Sequence, residues 1–288
     1  DNLSINEDSL MSNSANDSAS AGESKEPKFI TLEEAAAMTS GTRVTFIPGI
    51  QALFSEALKN ICYVKKVPLI RALHPIMGQD KDTGADRQAK LYELTSQTGL
   101  PTMFHDQERP RNVWIEQLAL AERIGAEGSP VLLPENFEAR ADVLGLCAIV
   151  LGEDGFAWNM RILNDSPLAQ KYGFSEKASA AAPTKLAEIL KLIDRRLEQQ
   201  KANGSDYLVG AGVSAADIYW ATISMSVSPV PTEIMPETKQ NKGMLAYFAS
   251  NSNIPAVAEV LTDRIGEHQR YILSTYCETP AVLGGDPA

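Results

Sequence analysis

Few side chains in this sequence are spaced to do covalent chemistry by themselves. The three cysteines, Cys62, Cys147 and Cys277, are far apart and odd in number. They form neither a C-x-x-C pair nor a disulfide framework, so a reducing, cytoplasmic setting is expected. The three histidines, His74, His105 and His268, are equally scattered. With no H-E-x-x-H motif and no Cys/His cluster, no metal is expected. His105 beside Asp106 has the residue types of an acid/base pair, but no partner nucleophile is evident. Asn2-Leu-Ser4 and Asn16-Asp-Ser18 fit the glycosylation acceptor pattern and, without secretion, are read as chance.

Composition narrows the partners. The 288 residues carry a net charge of −11, which argues against nucleic acid, because phosphate neutralisation needs clustered Lys and Arg. It also argues against a polybasic membrane anchor. No stretch approaches the ~20 apolar residues of a membrane span, and no charged start leads into an apolar signal segment. The charge is uneven: residues 1–40 hold a net −6 of the total. From Asp1 to Pro27 they are Ser/Asn/Asp/Glu-rich and cannot bury enough surface to offset chain entropy. Residues 1–40 are therefore expected to be a disordered acidic tail.

The remaining chain reads as alternating strands and helices, then helices alone. Arg43–Ile47 is a β-branched and aromatic run that stops at Pro48-Gly49. Leu53, Phe54, Ala57, Leu58, Ile61 and Val64 recur at helical spacing over 50–64. Pro68 ends that helix before a strand at Leu69–Leu73. A helix over Asp86–Leu94, a break at Gly99-Leu100-Pro101, a strand at Thr102–Phe104, a polar turn at Asp106–Arg111 and a helix over Trp114–Ile124 follow. Beyond Pro130 the pattern is helical: Asn136–Leu163 interrupted by Gly152 and Gly155, Pro183–Gln200, a helix opening at Ser214-Ala-Ala-Asp217, and Pro255–Cys277. The expected architecture is an α/β domain over 41–128 and an all-helical domain over 129–280.

This order resembles the glutathione S-transferase superfamily, a thioredoxin-like domain joined to an all-α helical bundle. Thr98-Gly-Leu-Pro101 looks like the family's G-x-V-P turn. Trp114-Ile-Glu-Gln117, then Leu118 and Ala119, is similar to its E-S-x-A-I helix start. Tyr207-Leu-Val-Gly210 with Val213-Ser-Ala-Ala-Asp217 is close to its Y-L-x-G … S-x-A-D segment. The resemblance covers about Val44 to Arg264. It implies glutathione as co-substrate, thiolate attack on a small apolar electrophile, and a homodimer. It implies a cis Pro101, Leu100 pairing with glutathione through its backbone as an added strand, and Glu116 and Gln117 at a helix N-terminus receiving a carboxylate. It sets Trp158 and Arg161 on the helix lining the co-substrate pocket. Asp217 is expected to cap its helix and do no chemistry.

The sequence departs from the family where the thiol is activated. Phe46 stands at the position of the family's tyrosine and Ala52 at that of its serine. The thiol pKa of about 8.5 must fall for chemistry. Gln51, Ser55 or the N–H groups of Ala52 and Leu53 are the candidates to lower it. A non-catalytic binding or assembly protein on the same scaffold is the alternative. A thiol reductase or peroxidase is disfavoured by the absent active-site cysteine.

Overall fold

The computed structural model describes residues 27–286. The first half of the chain folds as β1 (Phe29–Ile30), α1 (Leu32–Ala37), β2 (Thr42–Phe46), α2 (Leu53–Val64), β3 (Leu69–Leu73), α3 (Ala89–Thr95), β4 (Met103–His105) and α4 (Trp114–Ile124). Helices follow: α5 (Phe137–Leu151), α6 (Phe156–Arg161), α7 (Pro167–Lys171), α8 (Glu176–Ala202), α9 (Ala215–Ile223), α10 (Lys242–Asn251), α11 (Pro255–Ala258) and α12 (Asp263–Tyr276).

The sheet order is β1-β3-β2-β4. β1 and β2 run parallel to β3, with Phe29 opposite Arg71 and Phe46 opposite Leu73. β4 is antiparallel to β2, with Val44 opposite Met103. Central β2 is buried along its whole length, as expected of a strand covered on both faces. Its alternate residues divide the core. Val44 and Phe46 join Ala57, Leu58 and Ile61 of α2 and Leu118 of α4 in a cluster continuous with the helical half. Ala72 and Phe104 pack with Leu91 of α3 and with Leu32 and Ala35 of α1 on the other face.

The acidic tail expected over 1–40 must be shortened. Residues 1–26 lie outside the described residues, but the chain from Phe29 onward is part of the fold. β1 completes the edge of β3. Thr31 and Glu34 form a reciprocal capping box on α1. The buried guanidinium of Arg43 fastens the segment by donating to the carbonyls of Ala35 (3.0 Å) and Met38 (2.8 Å). Two buried apolar side chains and these charge-assisted bonds offset the ordering cost that composition alone argued was unaffordable.

Helix ends follow local chemistry. α8 begins seven residues before the expected start at Pro183, because Ser175 caps it by accepting from the Ala178 N–H at 3.1 Å; Pro183 sits inside it. α5 and α6 divide at Gly152–Gly155, where Asp154 takes positive φ and a Cβ on Gly155 would lie 2.5 Å from the Ile149 carbonyl. Together Phe137–Arg161 is apolar enough on average to cross a membrane, contrary to the expectation from a count of consecutive apolar residues. The break and its burial (56% of the apolar window lies inside the fold) suit a core hairpin of helices. α9 is buried throughout. Its cap is Asp217, whose carboxylate accepts from the N–H groups of Leu208 (2.7 Å) and Ser214 (2.8 Å) and the Ser214 hydroxyl, and lies 3.0 Å from His268 Nε2. After α12 the chain returns across α2. Glu278 meets Lys59 at 3.0 Å and Arg71 at 3.5 Å, and the Leu283 carbonyl accepts from the Gly49 N–H at 3.2 Å.

Candidate functional site

The C-terminal ends of β2 and β3, the turn before β4 and the first turn of α2 meet at one end of the sheet. Thr45, on β2, ties three of these pieces together. Its hydroxyl oxygen accepts from the Thr102 N–H at 2.8 Å and lies 3.2 Å from Nδ1 of His74. The His74 N–H donates to the Phe46 carbonyl at 2.8 Å. Burial, helped by the positive charge of Lys171, pushes the His74 pKa down to about 4. A neutral ring accepting the Thr45 proton at Nδ1 satisfies this network.

The turn before β4 presents backbone to solvent. The Leu100–Pro101 bond is cis, as the resemblance implied. Among the described residues, neither the N–H nor the C=O of Leu100 has a hydrogen-bond partner, and the residue is half-buried. Such unpaired groups form a short open edge that an extended peptide can join. Gln117 holds the turn from behind: its side-chain amide donates to the carbonyls of Pro101 (2.9 Å) and Arg111 (3.0 Å). Gln117 is buried, so its side chain acts here by positioning Pro101. Glu116, expected at a carboxylate-binding helix start, is engaged by Arg109 at 2.8 Å, which holds its carboxyl below the usual range.

The N-cap of α2 is bare, and Glu56 in its first turn is engaged by Lys59 at 2.6 Å. Ala52 at the N-cap offers no side-chain acceptor, so the leading N–H groups of the helix keep their positive end for a ligand anion. Ser55 does not serve this site. It is buried, and its hydroxyl donates back to the Thr45 carbonyl at 3.4 Å. One helical turn from the N-cap, its direction is inward to the sheet. Gln51 is fully buried, and neither its amide nitrogen nor its amide oxygen has a partner among the described residues. The loop containing it is held by Gly49, whose carbonyl accepts from the Thr238 hydroxyl at 2.6 Å.

Trp158 and Arg161 do come together, on α6, with two residues that sequence reasoning missed. The Arg161 guanidinium carbon lies 4.3 Å from the ring centroid of Phe54 on α2 and 4.3 Å from that of Tyr172 after α7. Trp158 meets Tyr172 edge to face, centroids 4.9 Å apart. Lys171 Nζ donates to the Thr98 carbonyl at 2.7 Å, tying α7 to the turn before β4. Phe54 was visible only as a helical core position, and Lys171-Tyr172 carried no motif. His74 carries no local signal in the sequence because its partner Thr45 is 29 residues away. Among the described residues no cluster of three or more His, Cys, Asp or Glu could hold a metal. All three cysteines are buried with raised pKa values, Cys62 and Cys277 to about 12, by desolvation.

No protein-family model and no curated protein matches the sequence. Solved structures do match. A maleylacetoacetate isomerase from Methylobacterium extorquens AM1, with malonate and glutathione bound, is 16% identical with a TM-score of 0.50, over 85% of this chain and 100% of the other. A glutathione S-transferase from Methylobacillus flagellatus KT, with glutathione bound, is 11% identical with a TM-score of 0.52, over 78% of this chain and 93% of the other.

Proposed function

We propose, from the premise that this chain has the glutathione S-transferase fold, that it binds glutathione and uses the thiolate against an electrophilic carbon. The observation that carries this reading is the unpaired backbone of Leu100 beside the uncapped N-terminus of α2. The first suits the peptide part of glutathione, and the second suits its sulfur. Two solved structures of this fold contain glutathione, which supports the reading.

With Phe46 and Ala52 at the hydroxyl positions and Ser55 turned inward, the thiolate is stabilised by the N–H groups of Leu53 and Phe54. In the reaction the S–C bond forms, the leaving group departs with its electron pair, and the thiol proton passes to solvent. The chain's contribution is a lowered thiol pKa and a held geometry.

The test is retention on immobilised glutathione together with conjugation of a generic chloroarene. Ser55→Ala is expected to leave turnover intact. Absence of glutathione binding at millimolar concentration would sink the reading. Binding without turnover would favour the second reading, a binding or assembly module, whose support is the missing hydroxyl at Phe46 and Ala52. A homodimer belongs to the same proposal, and a monomer by light scattering at micromolar concentration would contradict it.

A further inference from the structure

The reading above leaves the second substrate apolar, whereas the helical side of the site carries cations. We propose that Arg161, held against Phe54 and Tyr172 with Lys171 nearby, binds a carboxylate on the co-substrate. The inference rests on the glutathione reading for the identity of the first ligand only.

Arg161 is half-buried and makes no hydrogen bond or ion pair with the described residues. Its two ring contacts stabilise the charge, but they leave five N–H donors without an ordinary acceptor. Three other buried or half-buried arginines are supplied with acceptors. Arg43 donates to the Ala35, Met38 and Asp106 carbonyls, Arg71 meets Glu278, and Arg111 meets Glu108. Around Arg161 the neighbouring charge is positive. Burial and then Arg161 itself depress the Lys171 pKa, and burial and then Lys171 depress that of His74. Lys171, exposed at the surface, has only the Thr98 carbonyl as hydrogen-bond partner among the described residues. A half-buried guanidinium with no counter-charge beside it, and a second cation nearby, is costly unless a ligand supplies one.

Position indicates which ligand. Phe54 lies in the first turn of α2, beside the N–H groups that receive the sulfur. Thr98 lies two residues before Leu100, which takes the peptide. The guanidinium therefore borders the thiolate position from the helical side, where the reacting partner enters. A planar guanidinium matches a carboxylate through two parallel N–H···O bonds.

Calorimetry on the full chain with 3,5-dinitrobenzoate and its methyl ester, at saturating glutathione, tests this. The acid is expected to bind about tenfold or more tighter than the ester, a preference lost in Arg161→Met and reduced in Arg161→Lys. Arg161→Lys alone carries the test if Arg161→Met does not fold, and an unchanged preference in it overturns the proposal. Equal binding of acid and ester to the native chain overturns it as well. So does competition between dinitrobenzoate and glutathione together with lost glutathione affinity in Arg161→Met, which would assign the anion to glutathione. Acid preference through Arg161 in a chain that binds no glutathione supports the anion site and removes the glutathione reading instead.

Discussion

The side-chain amide of Gln117 donates to the carbonyl of Pro101 at 2.9 Å, joining the head of α4 to the turn that leaves Leu100 unpaired. A side chain expected to touch the ligand thus braces the turn from behind instead. Gln117→Ala removes two hydrogen bonds and strands the Pro101 carbonyl, while the Arg111 carbonyl keeps the Met103 N–H. A stability loss of about 2 kcal/mol in urea unfolding is expected, with glutathione binding weakened about tenfold as the turn relaxes. Unchanged affinity in a folded variant would show that the turn needs no brace.

Gln51 makes the opposite prediction for stability. Its buried amide has no partner, so Gln51→Met, similar in volume, relieves a desolvation cost and is expected to stabilise the free protein by about 1 kcal/mol. The same variant should bind glutathione as the native chain does, because the sealed amide reaches no ligand. Thermal scans with and without glutathione check both. A variant that is destabilised without ligand would mean that packing dominates at this position.

His74 sets an acid dependence. Its folded pKa, pushed down to about 4, lies below the ordinary 6.5, so between those values the unfolded chain binds more protons. Its contribution to stability is complete above pH 6.5 and falls as pH drops through that window, by up to roughly 3 kcal/mol. His74→Asn should flatten this part of the stability–pH curve measured by denaturant unfolding. An unchanged slope would assign it to other groups.

The return of the C-terminal segment depends on Lys59, which is buried between Glu56 at 2.6 Å and Glu278 at 3.0 Å. Lys59→Met removes the cation between Glu56 and Glu278 and leaves Arg71 as the remaining partner of Glu278, and a loss of about 3 kcal/mol is expected. Burial pushes the Glu278 carboxyl up, but Lys59, the Val282 N–H and Arg71 outweigh it and hold its pKa low. That stabilisation is present above pH ~4.3 and is lost as acid protonates the folded form. Chemical denaturation of the variant at neutral pH, alongside acid unfolding of the native chain, tests both statements.

Much of the scaffold was legible because its signals are local. The strand at Leu69–Leu73, the helix over Trp114–Ile124, the break near Gly152 and the Asp217 cap depend on residues a few positions apart, where periodicity and capping act. β1 and α1 were missed because Phe29-Ile30 is too short to signal a strand without β3 beside it. The buried donors that anchor this segment belong to Arg43, on another strand.

The sequence by itself determined the order of elements from β2 to α6, the Leu100–Pro101 turn and the absence of a hydroxyl at Phe46 and Ala52, since these are properties of residue type and near-neighbour spacing. Only the tertiary structure decided what the side chains do. Ser55 turns into the sheet, Gln117 braces the turn from behind, and Gln51 is sealed without a partner. Arg161 meets Phe54, 107 positions earlier in the chain, and Tyr172. Direction, burial and unmatched charge arise when distant segments pack, and no local pattern encodes them.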